Sequence, residues 1–254
     1  RVCMSAAPPV PFIGLSGMRT VADVRAIRVP HPLPCVHVYA CPSCDGTLFR
    51  TKRDSLPDFE AMLNAVEFRP DMLVCPTYER WRPNREGVQA DLRQILRWPL
   101  HALHLCLSKP NLIKEAVLLT ESHKLPPHIV FNLNMLLFRQ FNADTLKLVR
   151  FLATAAPLNR PAYVNLDFSL GQGIPFHYET ARTVRDIVLS ESMLGFCVSG
   201  GITPQDVADV YKGLGSNTSI MVRTGIETER RFDPVKANAL LDNAVRGLAA
   251  TSRI

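Results

Sequence analysis

Gly195-Phe-Cys-Val-Ser-Gly-Gly-Ile-Thr-Pro-Gln-Asp206 and, further on, Ser219-Ile-Met-Val-Arg-Thr-Gly-Ile-Glu227 are the two stretches on which the reading of this chain turns. Each opens with a short apolar run, continuous rather than alternating, as expected of a strand in a parallel sheet covered on both faces. Each then breaks at glycine: Gly200 and Gly201 in the first, Gly225 in the second. A residue without Cβ lets the backbone approach a ligand closely. Thr203 is expected to cap a helix beginning at Pro204, and the N–H groups of a helix start favour an anion. Arg223 or Thr224 is the candidate for direct contact with phosphate oxygens. The same glycines would equally serve to close tight turns, so either loop alone decides little.

Working outward, the strand-then-helix unit recurs along the whole chain. Strands are predicted at Phe12–Leu15, Cys35–Ala40, Asp71–Cys75, Leu100–Cys106, His128–Asn132, Tyr163–Asp167, Gly195–Ser199 and Ser219–Arg223. Helices are predicted at Val21–Ile27, Pro57–Phe68, Gly87–Leu96, from Pro110 through Leu119, Ala143–Ala155, Thr180–Leu189, Pro204–Leu214 and Pro234–Leu248. Phe59, Met62, Leu63 and Val66 share one helical face. Eight such units in 254 residues predict an α/β fold, a single (β/α)8 TIM barrel over residues 12–250 with a short N-terminal arm at 1–11. A doubly wound open sheet is the rival, and the lack of GxGxxG after the first strand counts against its dinucleotide-binding version. Barrels of this kind bind ligands at the C-terminal ends of their strands and often hold phosphate after strands 7 and 8. The two glycine loops fall at those two places.

Composition agrees with a globular domain: 47% of residues are hydrophobic and 20% charged. A chain of this length buries a large core without disulfide or metal staples. The net charge of +6 comes from scattered Lys and Arg, apart from Arg50-Thr-Lys-Arg53 and Arg80-Trp-Arg-Pro-Asn-Arg85. No aromatic-rich RNA-binding signature accompanies them, so they read as solvated loop charge and nucleic acid is not an expected partner. No apolar stretch approaches the ~20 residues that span a bilayer. The seven cysteines are odd in number and lie partly in apolar runs such as Leu103-His-Leu-Cys106, which predicts reduced, buried thiols and an intracellular, reducing compartment. Only Cys41-Pro-Ser-Cys44 has ligand-like spacing, and no second pair completes a zinc set. No metal or cofactor is expected. The start at Arg1 is consistent with a removed presequence, mitochondrial or of another organelle, or with trimming. The tail Ser252-Arg-Ile254 only loosely matches a peroxisomal Ser-Lys-Leu address.

Residues 163–245 resemble the phosphoribosylanthranilate isomerase family, a tryptophan-pathway barrel. Gly195 to Val207 is similar to its strand-7 signature, a Gly-Gly pair followed by Pro and an acidic-x-Val run. Met221-Val-Arg-Thr-Gly-Ile-Glu227 is similar to its strand-8 Asp-Val-Ser-Ser-Gly-Val-Glu. Asp233-Pro-Val-Lys236 resembles the Lys-Asp-x-x-Lys that opens its last helix. Ile13-Gly-Leu-Ser-Gly-Met-Arg-Thr-Val-Ala-Asp23 parallels the family's first strand and loop, and Leu103-His-Leu-Cys106 takes the place of its Gln-Leu-His-Gly. Between residues 29 and 162 the match is otherwise one of element order. The resemblance implies an Amadori rearrangement of a phosphoribosylated anthranilate without metal or cofactor. It also implies a cysteine base after strand 1 and an aspartate acid on strand 6.

Asp167 matches that aspartate, whereas Ser16 occupies the position of the cysteine. A thiol ionises near pH ~8.5 and supplies some thiolate at neutral pH. A hydroxyl needs a separate base. His104 on strand 4 is the candidate for that role, or else a structural histidine. The strand-6 loop Ser169-Leu-Gly-Gln-Gly-Ile-Pro-Phe176 keeps two glycines but not the family's lysine. Arg50 and Arg53 are candidate replacements for basic residues after strand 2. A phosphate grip kept while the base is lost favours a divergent barrel that binds a phosphorylated sugar ligand without the parental isomerase activity. Such a chain would suit a structural subunit with protein partners in a larger assembly. The alternative is an active aldose-ketose isomerase acting on a phosphoribosyl adduct. The scaffold version predicts exposed apolar patches at Val29–Pro34 or Pro76–Trp98.

Overall fold

The computed structural model describes residues 9–30, 36–45, 56–80, 83–123, 127–167 and 176–251. Its main sheet has ten strand segments, which read as eight strands because two are interrupted by proline. β1 is Phe12–Ser16. β2 runs His37–Cys41 and resumes after Pro42 as Ser43–Asp45. β3 runs Leu73–Val74 and resumes after Pro76 as Thr77–Glu79. Then come β4 (Ala102–Cys106), β5 (His128–Leu133), β6 (Ala162–Asp167), β7 (Gly195–Ser199) and β8 (Thr218–Val222). Every neighbouring pair is parallel, and β8 pairs with β1, so the sheet closes into the predicted barrel.

Proline lacks an N–H and removes a rung from a ladder. Here the neighbours bridge the gap. Thr77 N–H donates to Pro42 O at 2.8 Å, Cys75 N–H to Ala40 O at 2.9 Å, and His104 N–H to Pro76 O at 3.0 Å. The sequence reading ended the third strand at Cys75. The structure carries it three residues beyond Pro76, to Glu79, which brings Thr77, Glu79 and Arg80 to the barrel mouth.

The helices are α1 (Val21–Ala26), α2 (Leu56–Glu67), α3 (Arg85–Ile95), α4 (Pro110–Glu121), α5 (Met135–Gln140), α6 (Thr145–Ala155), α7 (Tyr178–Glu191), α8 (Val207–Leu214) and α9 (Pro234–Thr251). α1 starts with a reciprocal capping box, in which Thr20 Oγ1 accepts from Asp23 N–H at 3.1 Å and Asp23 Oδ2 accepts from Thr20 N–H at 3.0 Å. α5 was not expected; Asn134 caps it by accepting from Leu137 N–H at 2.9 Å. Asn142 and Ala143 then take left-handed backbone angles (φ 55° and 58°), so Ala143 lies outside the helix predicted to begin there. Asp144 caps α6 instead.

Two apolar layers hold the molecule together. One packs sheet against helices, with Val24, Leu92, Ile113, Leu148, Val184 and Leu241 among its buried members. The other fills the barrel itself and includes Phe12, Tyr39, Cys41, Cys75, Tyr163 and Cys197. The Phe12 ring meets Tyr39 and Tyr163 edge-on, each at 5.0 Å, a favourable arrangement for aromatic quadrupoles. Burial pushes the Cys75 and Cys197 thiols well above their ordinary range. At the N-terminal end of the barrel, Tyr163 OH donates to Val10 O at 2.6 Å. The described part of the predicted arm therefore lies at the end of the barrel opposite the cavity described next. No helix among the described residues is long and apolar enough to cross a membrane.

Candidate functional site

A cavity of about 190 Å³ opens at the C-terminal ends of the strands. Residues alternate along a strand between the two faces of a sheet. In the barrel, Ser16, Thr77, His104, Asn132, Asp167 and Ser199 all come to the cavity wall. Of the residues predicted from sequence, Ser16, His104, Asp167, Gly200, Gly201, Arg223 and Thr224 line it.

Gly225 does not line the cavity. It sits in a single 3-10 turn, Thr224–Ile226, packed against the strand-7 loop. A Cβ there would stand 1.9 Å from Ile202 O. Its close approach is to the neighbouring loop and not to a ligand. Gly200 and Gly201 have φ of +85° and +67°, the left-handed region that favours glycine. They turn the chain across the rim between β7 and α8.

The start of α8 differs from the expectation. Helix geometry begins at Val207, not Pro204. Asp206 Oδ2 accepts from Thr203 N–H at 3.0 Å and from Thr203 Oγ1 at 2.6 Å. The chain's own carboxylate thus takes both the N–H and the hydroxyl of Thr203, the residue expected to cap the helix. Arg223 is half exposed, at 49%, and its Nε lies 3.3 Å from Glu227 Oε1. Glu227 is only 11% exposed, so the pair ties a half-exposed guanidinium to a largely buried carboxylate.

The floor is a hydrogen-bonded polar layer. His104 is only 5% exposed, and burial pushes its imidazole down to about 4. At neutral pH the ring is uncharged. Its Nδ1 lies 3.2 Å from Thr77 Oγ1. Asn165 Nδ2 lies 2.9 Å from Asn132 Oδ1, 3.0 Å from Ser199 Oγ and 3.5 Å from His104 Nε2. Burial, with the charges of Glu79 and Asp167, pushes the Cys106 thiol well above its ordinary range, so it is protonated at neutral pH. On one wall Arg80 forms an ion pair with Asp91, whose Oδ2 also accepts from Tyr78 OH at 3.0 Å. The two side chains are 11% and 4% exposed.

Chemically, this floor is short of a ready base. No hydrogen bond joins Ser16 to a titratable group among the described residues. A general base works best with a pKa near the operating pH, and His104 lies well below that while Cys106 lies above it. Arg50, Arg53 and most of the strand-6 loop lie outside the described residues. Sequence reasoning missed Thr77, Glu79 and Arg80 because Pro76 read as a strand end, and it missed Asn132 and Asn165 although both stand in predicted strands. The inward parity of His104, carried to its neighbours by the strand register, was the available signal. No group of His, Cys, Asp and Glu side chains suited to a metal occurs among the described residues. In the region 76–98, no large hydrophobic side chain among the described residues is exposed.

No protein-family model matches the chain, and no curated protein matches it by sequence. Solved structures do. TrpF from Jonesia denitrificans superposes with a TM-score of 0.58 at 14% identity, covering 95% of this chain and 99% of that one. N-(5'-phosphoribosyl)anthranilate isomerase from Pyrococcus furiosus gives 0.53 at 11% identity, covering 94% and 99%. The carboxyl transferase domain of Rhizobium etli pyruvate carboxylase gives 0.61 at 12% identity, covering 98% of this chain and 49% of that one. Similarity at such identities establishes the barrel fold, one close to that of phosphoribosylanthranilate isomerases, and the third match shows the same barrel serving other chemistry.

Proposed function

We propose that the chain binds a phosphorylated sugar-like small molecule in the mouth of its barrel and lacks the parental isomerase activity. The observation that carries this reading is the shared rim of loops 7 and 8. Gly200 and Gly201, both in left-handed conformation, face the same cavity as Arg223 and Thr224. Gly225 packed on Ile202 holds the two loops together. A phosphate at this rim would meet backbone, a hydroxyl and the half-exposed guanidinium of Arg223.

The inactive half of the reading rests on the missing base. Asp167 lines the cavity and would take the acid role that the family resemblance implies, but no hydrogen bond joins Ser16 to a proton acceptor among the described residues. The test is a turnover assay with phosphoribosylanthranilate beside a calorimetric titration with a non-reactive analogue. Binding without turnover is the expected result, and Ser16→Cys is the variant to assay alongside. Turnover by the unaltered chain would establish the isomerase reading instead. Absence of binding by a folded sample would remove the ligand from the account.

A further inference from the structure

We infer that His101 is a proton-operated clip at the N-terminal end of the barrel: on taking up a proton it releases the Val74 amide and loosens the seam between β3 and β4. The clip lies at the end of the barrel opposite the cavity and works whatever the cavity binds.

The seam is short of ordinary rungs. Pro76 interrupts β3 and has no N–H to donate. At the start of β4, His101 N–H donates to Val74 O at 3.0 Å. In the opposite sense, the Val74 N–H donates to the imidazole of His101, at Nδ1, over 3.2 Å. A neutral imidazole accepts at one nitrogen and donates at the other, whereas the imidazolium donates at both. With Nδ1 as acceptor, the ring hydrogen sits on Nε2. A proton arriving at Nδ1 turns the acceptor into a second donor facing the Val74 N–H. Val74 is 2% exposed, and a buried donor stripped of its acceptor bears the cost of its own desolvation. His101 itself is exposed, which gives the proton a path to the ring.

The surroundings resist that proton. Partial burial, reinforced by the charge of His37 at the start of β2, pushes the His101 imidazole below its ordinary value, while Glu67 at the end of α2 acts the other way. His128 stands alongside at the start of β5, and its N–H donates to His101 O at 2.9 Å. Burial, with the charges of His37, Arg160 and His101, lowers His128 too, and its buried Nδ1 has no partner among the described residues. Arg160 donates to Thr120 Oγ1 at 2.8 Å, and Glu121 favours its charged form. In the loop before β3, Arg69 and Asp71 are paired with each other at 2.5 Å. Each proton taken up by His101 or His128 therefore adds like charge to that of Arg160. A folded value below the ordinary ~6.5 means that the opened form binds protons more readily. The clip is closed above ~6.5 and opens as pH falls below it.

Amide exchange at Val74, followed by NMR on the unaltered chain and two variants, tests the clip. Asparagine offers an acceptor oxygen in the region of Nδ1 and does not titrate; alanine offers no acceptor. In the unaltered chain, Val74 protection, corrected for the intrinsic pH dependence of exchange, should fall about tenfold from about pH 7.5 to about pH 5.5, one hydrogen bond's worth. The fall should follow the titration of the His101 ring. His101→Asn should keep the protection at both pH values, and His101→Ala should lack it at both. Cys75 N–H, which donates to Ala40 O at 2.9 Å, should stay protected throughout. Val74 protection that is unchanged by pH in the unaltered chain, or lost in acid from His101→Asn as well, overturns the inference. So does a loss at Cys75 in step with Val74, which marks general unfolding in acid. Should His101→Ala fail to fold, the unaltered chain and His101→Asn decide between these outcomes.

Discussion

Gly225→Ala tests whether the two rim loops form one unit. A Cβ at this position would stand 1.9 Å from Ile202 O, 2.8 Å from Ile202 C and 3.0 Å from Thr203 Cα. All three are backbone atoms, so no rotamer change relieves the clash and the loops must separate. Overpacking of a well-fitted site costs about 1–3 kcal/mol, and a backbone collision belongs at the upper end. For a chain of this size each kcal/mol lowers Tm by about 2–4 °C, which predicts a fall of about 5–10 °C. Phosphate affinity should fall about tenfold as Thr224 moves from Gly201, one hydrogen bond's worth. Gly213→Ala is the comparison, because its Cβ would meet only the edge of the Tyr178 ring, at 3.1 Å. Thermal denaturation followed by circular dichroism and calorimetry with phosphate read the two effects. If Gly225→Ala melts with the unaltered chain and binds phosphate equally, the coupling of the loops is refuted.

Three further outcomes follow from the geometry. Asp91→Ala leaves Arg80 buried without its partner and should cost about 3–5 kcal/mol in urea unfolding. Arg80→Met with Asp91→Leu should recover much of it, and a double variant as unstable as the single would count against the pair. His104 has a folded value of about 4 below an unfolded value of ~6.5. The unfolded chain therefore binds the extra proton between those limits. Stability from this residue is complete above ~6.5 and is lost as pH falls towards 4, by about 3 kcal/mol in all. His104→Gln should flatten that part of the stability profile, and an unchanged profile would show that the ring is not buried neutral. Thr20→Ala removes the α1 cap and should cost about 1 kcal/mol, read as a fall in Tm of about 2–4 °C.

The barrel was legible because its strands are short apolar runs separated by helical patterns, and the register confirms most of them within a residue or two. Leu103 to Cys106 and Gly195 to Ser199 are such cases. Proline misled at Pro76, where adjacent strands supply the missing rung from their own carbonyls and amides. Helix α5 is only six residues long and buries only Leu137, so no apolar stripe marks it in the sequence. The start of α8 was misplaced because Thr203 does not cap the helix: its N–H and hydroxyl both go to Asp206 Oδ2, and residues 204–206 form a turn before the helix begins at Val207. At the site, the rim was visible as glycines at two expected loops. The polar floor was not, because Thr77, Asn132, Asn165 and Ser199 acquire meaning only when the strand register brings them beside His104.

The most direct test of the account is calorimetric titration of inorganic phosphate into the unaltered chain and into Gly201→Asp. Gly201 lies at φ +67°, a conformation aspartate tolerates better than most residues, so the variant should stay folded while placing a carboxylate at the rim. Binding by the unaltered chain, at least tenfold weakened in the variant, is the predicted result. Equal affinities, or no binding by either folded protein, would contradict the assignment of the loop-7 and loop-8 rim as a phosphate site.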